Sequence, residues 1–98
     1  MKAPAWLAIH EPAAVADAER IVAGLGRDRA AWIAALARCE DTALFAALLA
    51  VGCRPRAPFS GKVARKMVFR TKMLREKFVS TRRWLLARGY DILTEGLA

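Results

Sequence analysis

Apolar positions along this chain recur mainly at spacings of three and four, the period of a helix and not of a strand. The first clear stripe is Val15, Ala18, Ile21, Val22 and Leu25. His10-Glu11-Pro12 opens it, because proline suits a first helical turn, and Glu11, Asp17 and Glu19 lie towards the positive end of the helix dipole. Gly24-Leu25-Gly26 closes it, glycine being the residue that best accepts a left-handed cap. Asp28 is placed to cap a second helix that carries Trp32, Ile33 and Leu36. Asp41-Thr42 then reads as a fresh N-terminus ahead of the apolar run Ala43 to Val51. Ile33, Leu36, Ala37, Ala43, Leu44, Ala47, Leu48 and Val51 stay in phase across the break. Residues 29–51 are therefore expected to form two helices, with one continuous helix as the alternative.

Gly52 ends this part of the chain. Arg54-Pro55-Arg56-Ala57-Pro58 cannot be a helix interior, since each proline removes an amide donor and crowds the residue before it. Beyond it, Ser60 is expected to cap a long pattern from Gly61 to Arg88, which Gly89 breaks. Asp91 to Leu97 would add a short final turn or helix. Only Trp6 to Ile9 suggests a strand, and a short one. The expected fold is all-α, a small bundle of four to five helices with one long basic C-terminal helix. One domain, 1–98, is expected: a near-neutral helical half 1–52, a basic proline-containing linker 53–60 and a basic helical half 61–98.

At 100° per residue the long pattern separates into faces. Val63, Met67, Leu74, Phe78 and Leu85 fall in a narrow arc that should bury, widened on one side by Met73 and Trp84. Ala64, Val68, Val79 and Leu86 form a second apolar arc. A helix apolar on two sides is expected to lie centrally in its domain or between two copies, which makes a homodimer a candidate assembly. The remaining arc holds Lys62, Arg65, Phe69, Lys72, Glu76, Ser80 and Arg83.

Charge changes the picture more than composition does. The 98 residues carry a formal net charge of +8, and it is unevenly placed. Residues 1–50 hold 5 basic and 6 acidic side chains, whereas residues 51–98 hold 12 basic and 3 acidic. Between Arg54 and Arg83 there are 11 basic residues and one acid, Glu76. Such self-repulsion is costly unless a negative partner neutralises it. Apolar content is 56%, but 21 of the residues are alanine, so the supply of large core side chains is ordinary.

Motifs for catalysis or cofactors are missing. Ser60-Gly61-Lys62 resembles the end of a phosphate-binding loop, but the position five residues before Gly61 is Arg56 and not glycine. Gly24-x-Gly26 lacks the third glycine of a dinucleotide fingerprint. Cys39, Cys53 and the single His10 have no metal-ligand spacing, so neither metal nor cofactor is expected and the two cysteines read as reduced core residues. His10 more simply caps or packs, Asp41 caps, and Trp6, Trp32 and Trp84 read as core. The apolar start breaks at His10-Glu11, and the longest apolar run, Ala43 to Cys53, is about half a bilayer crossing. A soluble, cytoplasmic protein that is not an enzyme is expected.

The leading expectation is a small nucleic-acid-binding protein, of DNA or RNA, contacting phosphates through the 54–83 segment more than reading bases. Arg54, Arg56, Lys62, Arg65, Lys72 and Arg83 would touch phosphates, and Phe69 could stack on a base. Lys62 to Arg83 would span about 32 Å as one helix, near one turn of duplex. Arg54, Arg56 and Ser60, with Lys62, at the helix N-terminus would form an anion site within the same segment. The bland alternative is a solvated helix face. The functional alternative is an adaptor, inhibitor or small subunit that docks an acidic protein. Binding to an anionic membrane ranks last, because the basic helix is not split cleanly into apolar and basic halves.

Overall fold

A computed structural model of the chain describes residues 3–54, 56–59, 66 and 69–89. Among these the fold is an all-α bundle of five helices: α1 (Ala3–His10), α2 (Pro12–Leu25), α3 (Arg29–Arg38), α4 (Thr42–Gly52) and α5 (Lys72–Leu86). The boundaries follow local chemistry. Pro12 opens α2, and Gly26 closes it with φ +60, a value that favours glycine. The Asp28 carboxylate accepts from the Ala31 amide at 3.0 Å, and Asp41 does the same for Leu44, also at 3.0 Å. These caps satisfy amides that the first helical turn leaves without a carbonyl. Residues 29–51 are accordingly two helices, and the three residues Cys39, Glu40 and Asp41 connect them.

Trp6 to Ile9, the one stretch expected as a strand, lies inside α1. Four apolar residues carry no period of their own, and helical neighbours on both sides continue the hydrogen-bond ladder, with Glu11 donating to the Leu7 carbonyl at 2.7 Å. Leu7 is buried by the packing of α1 on α2 and α4.

The central helix is α4. Every residue from Phe45 to Gly52 is buried, so the helix is apolar all round and is covered by α1, α2 and α5. Of the two positions expected for the basic C-terminal helix, the one at the centre of its own domain is thus taken by α4. In α5, Leu74, Phe78, Thr81 and Leu85 form one buried stripe, while Val79 and Leu86 of the second apolar arc remain 46% and 43% exposed. One stripe suffices because α5 packs on α4 and α3 from one side.

The basic helix is also shorter than expected. It does not run unbroken from Gly61 to Arg88, because Phe69, Arg70 and Thr71 are turn and bend. Thr71 is extended at φ −108, ψ 144, and its hydroxyl accepts from the Leu74 amide at 3.3 Å, which makes it the N-cap. A β-branched hydroxyl residue both tolerates that backbone and supplies the acceptor. Upstream, Phe69 lies edge-to-face on Phe78 at 4.8 Å, a contact that needs the chain to turn. Ser60, Lys62, Val63, Ala64, Arg65, Met67, Val68 and the expected final element 91–97 lie outside the described residues. At its far end α5 stops at Leu86, and Gly89 follows with φ +89.

Trp32 fills the space left by a missing side chain. It is fully buried, stacks on Phe59 at 4.8 Å with planes 10° apart, and its Nε1 lies 2.8 Å from where a Gly52 Cβ would be. Phe59 thereby ties the loop after α4 to α3. Among the described residues the Trp32 Nε1 has no hydrogen-bond partner, a desolvation cost accepted for close packing.

Candidate nucleic-acid interface

The solvent side of α5 gathers Lys72, Arg75, Glu76, Val79, Ser80 and Arg83 around a shallow depression of about 330 Å³. Three cations on one face with one acid is a consequence of spacing: residues 72, 75, 79 and 83 recur at three, four and four, with Glu76 four after Lys72, the pitch that aligns side chains along a helix. Among the described residues none of Lys72, Arg75 and Arg83 enters an ion pair. Val79 and Leu86 lie between and beyond them, so the face is basic with apolar interruptions.

Other cations of the C-terminal half are already engaged. Lys77 turns inward and donates to the carbonyls of Ala37 and Cys39, each at 2.6 Å. Those carbonyls belong to the C-terminal end of α3, where orphan acceptors and the negative end of the dipole favour a cation. Nothing in the sequence near Lys77 marks this role, since its partners are 38 and 40 residues away. Arg88 lies over the Trp84 ring at 4.3 Å and the Trp6 ring at 5.9 Å, and donates to the Trp84 carbonyl at 2.9 Å. Trp6 meets Trp84 edge-on at 5.6 Å and stacks on His10 at 5.0 Å, so His10 packs, as expected of it.

The described members of the set expected to act together fall on two surfaces. Lys72 and Arg83 share the α5 face. Arg54 and Arg56 instead line a cleft between α2 and the loop after α4, together with Arg27, and no residue of α5 reaches it. Arg54 is ion-paired to Glu19 at 2.7 Å, an acid of α2 that sequence reasoning placed only in a helix dipole. Phe69 stands off the helical stripe in the turn before α5, 39% exposed, with one edge committed to Phe78.

A groove of about 340 Å³ between the α3–α4 connection and α5 is lined by Cys39, Glu40, Asp41, Phe45, Met73 and Glu76, among others. The Cys39 thiol donates to the Asp41 carbonyl at 3.3 Å. Burial pushes this thiol above its ordinary value of 9.0, and that hydrogen bond only partly offsets it, so at neutral pH it is a protonated and weakly nucleophilic group. Cys39 and Cys53 are both free and buried. Among the described residues no group of three His, Cys, Asp or Glu side chains could hold a metal ion, and no helix is long and apolar enough to cross a membrane.

Fold and surface together define a small all-α protein with an amphipathic, outward-facing basic helix. No protein-family model matches the chain, and no curated protein or solved structure matches it either.

Proposed function

We propose that this chain is a small nucleic-acid-binding protein whose principal contact is the solvent side of α5, engaging backbone phosphates in preference to bases. The observation that carries the reading is the set Lys72, Arg75 and Arg83 on one helix face, without intramolecular ion pairs among the described residues and with a single acid, Glu76, beside them. Lys72 to Arg83 covers about 16 Å along the helix, about half a turn of duplex and half the length expected for an unbroken stripe. Phe69, just ahead of Lys72, adds a half-exposed ring that an unpaired base could stack on. The role is binding and not catalysis. Two free, buried cysteines suit a reducing compartment such as the cytoplasm.

The test is a titration of labelled duplex DNA, single-stranded DNA and RNA at several salt concentrations, with the triple variant Lys72→Glu, Arg75→Glu, Arg83→Glu beside the parent protein. Each lost phosphate contact should lower the salt slope by about 1, so the triple variant should lose about 3 and bind weakly at every sequence. Unchanged affinity and slope would sink the proposal.

A second reading rests on Val79 and Leu86, whose exposure among cations suits an acidic protein partner or a second copy of the chain. In that case a few residues, Val79 and Leu86 first, should dominate an alanine scan of complex formation, and light scattering would give the stoichiometry. Evenly spread small losses over the cations would favour nucleic acid instead.

A further inference from the structure

The cleft between α2 and the loop after α4 is lined by three arginines from separate places in the chain. Arg27 comes from the turn after α2, and Arg54 and Arg56 from the segment after Gly52. Bringing like charges to one concavity costs electrostatic energy, and among the described residues Glu19, held on Arg54 at 2.7 Å, is the one acid lining the cleft. Three arginines and one glutamate give the described lining a formal balance of +2. Between the cations the wall is apolar, with Val22, Val51 and Pro58 among its residues, and the cleft is a wide, open depression of about 560 Å³. Arg56 is also the one non-glycine residue at positive φ among the described residues, +66, a conformation in which glycine or asparagine would be less strained. The Glu19 carboxylate already shows that an oxyanion fits a guanidinium at this rim.

We propose that this cleft binds a small phosphomonoester with an apolar body, its dianion on Arg27, Arg54 and Arg56 and its hydrocarbon against Val22, Val51 and Pro58. Two negative charges match the formal balance of the cleft, and guanidinium is the group best shaped for phosphate oxygens. The site does not rest on the nucleic-acid reading, because no α5 residue lines it.

Calorimetric titration of the full chain at low salt with phenyl phosphate, inorganic phosphate, benzoate and benzyl alcohol tests it. Phenyl phosphate should bind about tenfold or more tighter than inorganic phosphate, which lacks the apolar body, and than benzoate, which lacks the second charge. Benzyl alcohol should not bind. Arg27→Gln and Arg56→Gln should each weaken phenyl phosphate several-fold, whereas Glu19→Gln, which frees Arg54 and raises the local charge, should strengthen it. Equal binding of phenyl and inorganic phosphate would overturn the proposal, as would Glu19→Gln and Arg56→Gln shifting affinity in the same direction. Loss of phenyl phosphate binding in the α5 triple variant would also overturn it, by placing the ligand on α5. Loss of nucleic-acid binding in that variant with phenyl phosphate retained would separate the two sites.

Discussion

α4 and α5 pack against each other, yet their sequences follow opposite rules. α4 has no charged residue and is buried from Phe45 to Gly52 whichever way a side chain points. α5 carries six charged residues in fifteen and buries one stripe only. The contrast separates two jobs. An apolar helix sheathed by its neighbours decides where the other helices go, and an amphipathic helix at the edge is free to carry a surface. It also explains why the second apolar arc does not place α5 at the centre of the chain: Val79 and Leu86 suggest a buried helix when counted alone, but the central position is filled by α4.

The sharpest way to break this comparison is to shave one side chain from each helix. Leu48→Ala in α4 should cost about 2–5 kcal/mol in urea unfolding, because the fully packed surroundings cannot collapse onto the hole. Val79→Ala in α5 should stay within about 0.5 kcal/mol of the parent. Similar losses at the two positions would mean that α5 is also covered, by a second copy of the chain. Concentration-dependent unfolding would then reveal that copy.

A second pressure on α4 comes from adding atoms. Gly52→Ala would put a methyl group 2.8 Å from Trp32 Nε1, closer than packed atoms sit, and the neighbour is a ring locked between Gly52 and Phe59. We expect a loss of about 1–3 kcal/mol and a changed near-ultraviolet signal from Trp32. An alanine at this position that leaves both unchanged would show that the Trp32 ring has room to shift.

The bond between the two halves of the molecule is next. Lys77→Met keeps the aliphatic stem but removes the ammonium from the Ala37 and Cys39 carbonyls, and should cost about 1–3 kcal/mol. The exposed cations Lys72 and Arg83, changed to methionine in the same way, should cost little stability and instead weaken nucleic-acid binding. This pairing separates a cation that builds the fold from cations that serve a ligand, although all three lie on one helix.

What could be read from the chain alone follows the same divide. Helix ends were legible where a cap acts within three residues, as at Asp28, Asp41 and Gly26, because that chemistry is local. The break at Thr71 was not, since the apolar period of the buried stripe runs in phase towards it and a threonine N-cap looks the same as a threonine in a helix. The buried arc Leu74, Phe78 and Leu85 was found by periodicity. Lys77 and the Glu19–Arg54 pair were out of reach, because their partners are more than thirty residues distant and only the packing of α2, α3 and α5 around α4 brings them together. The same packing divides Arg54 and Arg56 from Lys72 and Arg83, which a reading by charge alone had joined.

The smallest expected effect lies in the connection between α3 and α4. Burial raises the Cys39 thiol above its ordinary value, so the folded protein holds this proton at pH values where the unfolded chain has begun to release it. The sign follows from linkage. Below the unfolded value both states are protonated and the contribution of Cys39 is fully present; as pH rises from 9.0 towards the raised folded value, the unfolded state loses protons first and stability falls. The slope from one thiol cannot exceed about 1.4 kcal/mol per pH unit. Cys39→Ala should therefore lose a little stability at pH 7 and show a shallower decline above pH 9 than the parent, with lysine and tyrosine titration common to both. Parallel curves would mean that the thiolate is accommodated beside Lys77, whose ammonium already lies against the Cys39 carbonyl.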